Sequence, residues 1–205
     1  MSDVAAVILA AGRSKRMGAF KPLLPFGKQT VIESTIDYLR KGGADPVVVV
    51  LGHRAEEVRA RVSHLNLLCV VNPAPDSEMN ASIAVAVREL SVTTKATLIA
   101  LADHPAVPPA VVSSLIETWR HGASLVIPTW HNRGGHPVLI DLRYRDELKH
   151  LDPERGLRAL FEAHRDEVKR IPVDSPYIAR DMDTWDDYAA LYQEVFGEPP
   201  PDRRE

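Results

Sequence analysis

A glycine loop rich in positive charge follows the first apolar segment of the chain. It begins at Gly12, and nine residues hold four cationic side chains: Arg13, Lys15, Arg16 and Lys21. Successive backbone amides in a tight turn point into one concavity that binds anionic oxygens, and Lys and Arg neutralise the remaining charge. The loop therefore predicts a site for a triphosphate. A solvated basic turn without a ligand is the alternative, and the loop residues by themselves leave both open.

The glycine spacing argues against two familiar phosphate sites. The segment from Gly12 to Gly18 matches neither G-x-x-x-x-G-K-[ST] nor G-x-G-x-x-G. These are the patterns of P-loop proteins and of dinucleotide-binding folds. A P-loop ATPase and a dinucleotide-dependent dehydrogenase are therefore disfavoured.

Carboxylates suited to a divalent cation follow later in the chain. Asp103 comes directly after the apolar run 97–102, where it would point into the same crevice as the first loop. Magnesium prefers carboxylate and phosphate oxygens and keeps several waters, so one or two protein carboxylates are enough. Asp181 and Asp183 offer a second ligand, since their side chains share one face of an extended segment. Asp103 as a turn residue and Asp183 as a helix cap are the open alternatives.

The predicted elements surround these residues in an α/β order. Apolar runs predict strands at 4–10, 46–51, 67–71, 96–101, 124–128, 137–140 and 168–173. Stripes of apolar side chains predict helices over 31–39, ending at Gly42-Gly43, over 111–119, starting near Pro108-Pro109, and over 185–195, following Asp183-Thr184. Continuous apolar strands alternating with helices are typical of a mostly parallel sheet with helices on both faces.

Composition favours an enzyme with a small anionic ligand. The 205 residues are 45% hydrophobic and 26% charged, enough for one domain, expected over 1–196, with a disordered tail over 197–205. A net charge of -3 argues against a general nucleic-acid surface. Cys69 is the chain's one cysteine, so we expect a buried strand residue rather than a disulfide or metal cluster. Without a membrane-length apolar run or signal peptide pattern, the protein is expected in the cytoplasm, away from membranes.

The histidines give a weaker signal. His136 lies between Gly135 and Pro137 after a loop over 131–134 that we expect to be flexible and suited to gripping a second substrate. His53 follows Gly52 at another strand end. A loop histidine bonded to backbone is the alternative for each of them. A zinc site is disfavoured, because the remaining histidines show neither a helical H-x-x-x-H nor a cysteine partner.

The first loop and five later motifs together resemble a known family. The stretch Leu9-Ala10-Ala11-Gly12-x-Ser14-x-Arg16-Met17-Gly18-x-x-Lys21-x-Leu23-Leu24-Pro25 resembles the N-terminal signature of nucleotidyltransferases that act on molybdenum cofactor, and is most similar to the molybdenum cofactor cytidylyltransferases. The later motifs, in the family's order, are Gly52-His53-Arg54, Asn72-Pro73, Ala102-Asp103-His104-Pro105, Gly135-His136-Pro137 and Asp181-Met182-Asp183-Thr184-x-x-Asp187.

This resemblance implies a three-layer Rossmann-like nucleotidyltransferase fold and a reaction. CMP would move from CTP to the terminal phosphate of molybdopterin-bound molybdenum, with Mg²⁺ or Mn²⁺ as cofactor and pyrophosphate as product. Catalytic roles are implied for Arg16, Lys21 and Asp103, and nucleotide binding for Leu9, Ala10, Ala11, Gly12, Arg13, Ser14, Arg16, Lys21, Asn72 and Ser82. Acceptor binding is implied for Gly135, His136 and Pro137, and metal binding for Asp103 with either Asp181 or Asp183.

One departure and two alternatives limit what the resemblance implies. Glu78 stands where family members commonly have a glycine a few residues before Ser82, which puts the acceptor in doubt. A sugar-phosphate or alcohol-phosphate acceptor is one alternative. The other is a noncatalytic chaperone that hands cofactor to a molybdenum hydroxylase client. Because Arg16 and Lys21 lie in a polar loop, truncating either is expected to change stability little.

Overall fold

A mostly parallel sheet forms the centre of the protein, as shown by a computed structural model that describes residues 2–12, 16–73 and 79–201. Its strands are β1 (Val4–Ala10), β4 (Val47–Leu51), β5 (Leu68–Val71), β6 (Ala96–Leu101), β7 (Leu125–Trp130), β8 (Arg133–Gly134), β9 (Val138–Asp141) and β10 (Val168–Pro172). The order across the sheet is β10-β7-β9-β6-β1-β4-β5, with β8 paired to β7. β9 runs antiparallel to both of its neighbours, β6 and β7. A separate small hairpin joins β2 (Pro25–Phe26) and β3 (Gln29–Thr30).

Helices cover both faces of the sheet, which confirms the predicted α/β architecture. They are α1 (Val31–Lys41), α2 (Ala55–Val62), α3 (Met79–Glu89), α4 (Pro109–Arg120), α5 (Arg145–Lys149), α6 (Leu157–Ala163) and α7 (Trp185–Phe196). Apolar side chains of α1, α2 and α4 pack in one core cluster. Those of α3, α5 and α6 pack in another.

The alternation of side chains along β1 explains its unbroken apolar sequence. Ala6 and Ile8 belong to the first core cluster, whereas Ala5 and Val7 belong to the second. Successive side chains of a strand point to opposite faces, so a strand covered on both sides is apolar at every position. The seven predicted strands are found at their predicted places with ends shifted by one or two residues.

Three details differ from the sequence-based expectations. β5 lies at the edge of the sheet, so Leu68 and Val71 are exposed and Cys69 is half-buried rather than buried. Val195 is also exposed, because it lies on the outer side near the end of α7. Residues 131–134, expected to be a flexible loop, form a tight hairpin between β7 and β8, with positive φ at His131 and Asn132. The division into a domain over 1–196 and a tail stays a prediction.

Within the described residues, no helix combines the length and the apolar character needed to cross a bilayer. The predicted helix boundaries at Gly42, at Pro108-Pro109 and at Thr184 are confirmed. Thr184 and Asp187 form a capping box at the start of α7.

Glu33 stabilises the start of α1 through a capping box with Thr30. Its carboxylate accepts hydrogen bonds from the backbone N–H and the hydroxyl of Thr30, both at 2.7 Å, and from Arg61 at 3.0 Å. Burial alone would raise the pKa of Glu33, but these donors outweigh it and the pKa is lowered. The carboxylate therefore stabilises the fold above the ordinary glutamate pKa, and this contribution is lost as pH falls through the lowered value.

We expect Glu33→Gln to lower the free energy of unfolding at pH 7 by about 1 to 2 kcal/mol, because charge-assisted hydrogen bonds to Thr30 and Arg61 are weakened. Urea unfolding monitored by circular dichroism measures this difference. It should shrink on acidification below pH 4.5, the ordinary pKa of the group. Glu89→Gln, an exposed substitution in α3, is the matched control. If the difference in the free energy of unfolding between the wild type and Glu33→Gln is the same at low pH, the charge of Glu33 does not have the assigned role.

Candidate active site

Gly12, Asn72 and Asp103, three of the predicted site residues that the structure describes, lie at one edge of the sheet because the parallel strands end there together. Gly12 follows β1, Gly52 follows β4, Asn72 follows β5 and Asp103 follows β6. β9 runs the opposite way, so the Gly135-His136-Pro137 segment that precedes it reaches the same edge. The structure therefore brings motifs from five separate parts of the chain to one cleft.

Two glycines are required by close packing at this edge. A Cβ on Gly52 would lie 2.7 Å from the carbonyl oxygen of Ala11. A Cβ on Gly135 would lie 2.2 Å from the carbonyl oxygen of Ile178. The adjacent amide of His136 donates to that same carbonyl at 2.7 Å. The Gly135-His136-Pro137 segment is therefore held tightly against the segment that leads to Asp181 and Asp183.

Lys21 joins two carboxylates at the centre of the cleft. Its Nζ donates to Asp103 Oδ2 at 3.0 Å and to Asp183 Oδ1 at 2.9 Å, and 12% of its side chain is exposed. Arg16 Nη2 contacts the second oxygen of Asp183 at 2.8 Å. Burial by itself would lower the pKa of Lys21, but the two carboxylates outweigh this effect and raise it. The ammonium therefore stays charged at neutral pH.

The same two carboxylates fit a divalent cation. Asp103 and Asp183 come from distant parts of the chain, yet their oxygens converge on one ammonium nitrogen. Hard carboxylate oxygens are ligands that Mg²⁺ and Mn²⁺ accept. Among residues 2–12, 16–73 and 79–201, no group of three or more His, Cys, Asp or Glu side chains is arranged for a metal. A bound cation would therefore take further ligands from nucleotide phosphates and water.

Asp181 contacts His104 rather than Lys21. One of its oxygens lies 3.3 Å from Nε2 of His104, whose side chain is buried. The hydrogen bond from His104 is the main cause of the lowered pKa of Asp181, and nearby Lys21 adds to it. Because Asp183 rather than Asp181 faces Asp103 across Lys21, the geometry favours Asp183 as the second metal ligand.

Two histidines of the predicted motifs contact each other. The rings of His104 and His136 meet edge to face with centroids 6.2 Å apart. His136 Nδ1 lies 3.3 Å from the carbonyl oxygen of Ile99, which can only accept, so this nitrogen carries the hydrogen. Burial lowers the pKa of His136. The ring is therefore neutral at pH 7 and leaves Nε2 as an acceptor. His53 instead packs against Phe20, centroids 5.9 Å apart.

The predicted nucleotide-binding residues have different surroundings. Leu9 and Ala10 belong to β1, and Ala10 is buried. Asn72 donates to Ser82 at 3.0 Å in a buried pair that joins the end of β5 to α3. Just after β1, Ala11 is half-buried and Gly12 is exposed. Arg13, Ser14 and Lys15 of the first loop, and Glu78 of the departure from the family pattern, lie outside the described residues.

Helix α1 holds the loop after β6, a role that the sequence analysis missed. The hydroxyl of Ser34 donates to the carbonyl of Pro105 at 2.9 Å, and that of Thr35 contacts the carbonyl of Ala102 at 3.3 Å. Small hydroxyl residues in the middle of a helix that faces a predicted site were the available signal. His104, quoted in the motif but given no role, was missed as the partner of Asp181.

The chain belongs to the family of the MobA-like NTP transferase domain, which matches residues 6–168. Its fold and its cleft therefore define a nucleotidyltransferase-like protein. Among similar curated proteins is the nicotine blue oxidoreductase of Paenarthrobacter nicotinovorans, 35% identical over 69% of this chain and 72% of its own length. The molybdenum cofactor cytidylyltransferase of Escherichia coli is 26% identical over 68% of this chain and 71% of its own length.

Solved structures agree with this family. Rv0371c of Mycobacterium tuberculosis superposes with a TM-score of 0.83 at 31% identity, covering 94% of this chain and 98% of that chain. A manganese complex of Rv0371c gives a TM-score of 0.79 at 28% identity with the same coverage. The resemblance stated from the sequence motifs is thus confirmed at the level of the family.

The expectation that Lys21 can be truncated at little cost is at odds with this geometry. Its side chain is 12% exposed, and its removal leaves Asp103 facing Asp183 without the ammonium between them, with Arg16 as the remaining ion-pair partner of Asp183. Leaving partly buried charges unpaired is costly. Arg16 is different, because 75% of its side chain is exposed.

We expect Lys21→Met to lower the free energy of unfolding by about 1 to 3 kcal/mol, since two carboxylates lose a charged donor. The double variant Lys21→Met/Asp183→Asn should cost less than the two single changes added together, because it also removes one of the facing charges. Urea unfolding of the four proteins measures the coupling. Lys28→Met, an exposed substitution, should stay within about 0.5 kcal/mol. Strict additivity would show that Lys21 and Asp183 do not stabilise each other.

Proposed function

We propose that this protein transfers CMP from CTP to the terminal phosphate of molybdenum cofactor and releases pyrophosphate. The observation that carries the proposal is the position of Lys21 between Asp103 and Asp183 at the carboxyl end of the sheet, next to the loop that begins at Gly12. The family supports nucleotidyl transfer, and the 26% identical cytidylyltransferase supports the particular nucleotide and acceptor.

The proposed step needs alignment and charge neutralisation more than proton transfer. An anionic oxygen of the acceptor phosphate attacks the α-phosphorus of CTP, one P–O bond forms, and the bond from the α-phosphorus to the bridging oxygen breaks. The electron pair leaves with pyrophosphate. Because the attacking oxygen is already ionised near neutral pH, a general base is unnecessary. Positioned cations stabilise the negative charge that grows on the leaving group.

Arg16 and Lys21 are proposed to contact the β- and γ-phosphates, together with the amides near Gly12. Asp103 and Asp183 would hold Mg²⁺ or Mn²⁺, and the ion supplies neutralisation of the phosphoryl oxygens when bound. In this proposal Lys21 exchanges its carboxylate partners for phosphate. When a divalent cation binds Asp103 and Asp183, the ammonium is released to contact the phosphates. Gly135, His136 and Pro137 are proposed to lie beside the acceptor.

A second candidate function is oxidoreduction. The 35% identical relative named nicotine blue oxidoreductase supports it. An oxidoreductase would change the oxidation state of a bound compound and release no pyrophosphate. A sugar-phosphate or alcohol-phosphate acceptor and a noncatalytic carrier for a molybdenum hydroxylase client stay alternatives within our proposal. The cytoplasm stays the predicted location.

The decisive experiment measures pyrophosphate release from each nucleoside triphosphate with Mg²⁺, with and without molybdenum cofactor. Release from CTP that requires the cofactor supports the proposal. Release that requires a sugar phosphate instead would change the acceptor, and tight cofactor binding without release would favour the carrier. Absence of release with every acceptor would overturn nucleotidyl transfer.

We expect Asp103→Ala to abolish most activity and to weaken Mn²⁺ binding in the presence of CTP, with an equal or smaller loss in Asp183→Ala. Removing a carboxylate ligand deletes a direct bond to the cation. Asp181→Ala should affect Mn²⁺ less, because Asp181 contacts His104. Electron paramagnetic resonance titration of Mn²⁺ measures the affinity, and Asp186→Ala in α7 is the control. Unchanged Mn²⁺ affinity in Asp103→Ala would remove Asp103 from the metal site.

We expect the protein to prefer CTP to GTP as substrate by a factor of about ten or more. This factor corresponds to the discrimination that a methyl contact supplies. The methyl group of Ala11 lies at the end of β1 against Gly52, where it would narrow the base pocket and favour a single ring. Ala11→Gly should reduce the preference. Competition between CTP and GTP with molybdenum cofactor measures the ratio directly, so a general loss of activity cancels. Equal use of GTP by the unmutated protein would defeat the cytidylyl assignment.

A further inference from the structure

The two edge strands of the central sheet differ in character. β10 lies at one edge and exposes Lys169, Arg170 and Pro172. Charges and proline on an edge strand oppose pairing with another strand. β5 lies at the other edge, and its sequence Leu-Cys-Val-Val contains neither. Among the described residues, no strand pairs with the outer side of β5, so this edge is open to a further strand.

The backbone of β5 shows which of its groups face outward. The N–H of Asn72, directly after the strand, donates to the carbonyl oxygen of Leu51 in β4 at 2.8 Å. Residues two apart in a strand direct their N–H and C=O groups to the same side. The even-numbered residues therefore face β4, and the backbone groups of Cys69 and Val71 face away from it. Leu67 continues this alternation, since it packs on the same core cluster as Cys69.

A second copy of β5 fits this outward row of donors and acceptors. When two identical strands pair antiparallel about a two-fold axis, the residue at the axis lies opposite its own copy. An axis at Cys69 places Leu67 opposite Val71 of the other copy, so all three residues exchange hydrogen bonds. An axis one residue later places Leu67 opposite Pro73, which has no N–H. An axis one residue earlier pairs Val71 with Leu65, whose N–H is already bonded within its own turn.

Helix α2 adds charge complementarity to the same pairing. It connects β4 to β5, and its apolar side chains pack on the same core cluster as Cys69. Its first turn is acidic, with Glu56 and Glu57, and its last turn is basic, with Arg59 and Arg61. A two-fold axis at Cys69 makes the two α2 helices run antiparallel on one face of the sheet. Each acidic first turn is then directed toward the basic last turn of the other copy, which is favourable.

We propose that the β5 edge is an interface between two copies of this chain, in which the two β5 strands pair antiparallel about a two-fold axis at Cys69. The central sheet then continues from one copy into the other. Leu67 meets Val71 on one face of the joined sheet, and Leu68 meets Val70 on the other, as apolar cross-strand pairs. The pairing covers Leu68 and Val71, which are 42% and 43% exposed in the single chain.

Sedimentation velocity of the full chain under reducing conditions tests the interface. At about 100 μM protein, which detects a dimer of micromolar Kd, we expect a species of twice the mass of the chain. Val71→Lys should shift this species to the mass of a single chain, because lysine on an edge strand opposes pairing. Val92→Lys is the matched control, since it makes the same change at a residue that is 91% exposed outside the sheet, and should stay dimeric. Circular dichroism verifies that both variants fold.

Oxidation of the wild type with copper(II) phenanthroline tests the register without any substitution. Opposed residues of a hydrogen-bonded antiparallel pair have Cα atoms about 5.5 Å apart, within the range that a disulfide spans. The Cys69 thiols of the two copies should give up two protons to solvent and two electrons to copper(II), and form a covalent dimer on a nonreducing gel. Cys69 is the chain's one cysteine, so every disulfide reports this position. Cys69→Ser should form no cross-link and still sediment as a dimer.

The outcomes separate the interface from its register and from the proposed function. A wild type that sediments as a single chain, or a dimer that Val71→Lys leaves intact, would overturn the interface. A dimer that Val71→Lys disrupts but that does not cross-link would keep the interface and overturn the axis at Cys69. Neither readout involves nucleotide or pyrophosphate, so both stand whichever reaction the protein performs.

Discussion

The shared direction of the parallel strands is the constraint on which the site depends. β1, β4, β5 and β6 deliver their carboxyl ends to one edge, and the loops that follow them must meet there. The reversed β9 adds its beginning to the same edge, so Gly135 and His136 reach the edge at which β1 ends. Residues separated by more than a hundred positions in the sequence thus form one cleft, because each lies close to the end of a strand.

Within this cleft, the ion pairs of Lys21 link function to stability. They neutralise Asp103 and Asp183 and tie the segment before α7 to the sheet. α7 then packs on a third cluster that includes Met17 and Met182, and Tyr188 donates to the carbonyl of Pro25 at 2.7 Å. A lysine that phosphate could draw away is therefore part of the contacts that hold the last helix in place.

The two sides of the cleft have different chemistry. Near β1, the available groups are backbone and cations, which suit phosphate regardless of what is attached to it. Beyond His136, a cavity is lined by apolar side chains such as Phe161 and by arginines such as Arg170.

The sequence by itself determined the seven main strands, the end of α1, the starts of α4 and α7, and the family. Apolar strands, helix caps and the first loop are local patterns. It missed α2, α3, α5 and α6, and the edge position of Cys69. Charged residues interrupt the apolar pattern of α2, α5 and α6. The tertiary structure decided that Lys21 joins Asp103 and Asp183, at sequence separations of 82 and 162 residues. It also decided that Asp181 turns to His104 and that Arg170 faces a cavity. These pairings depend on the order and direction of strands, which local propensity does not encode.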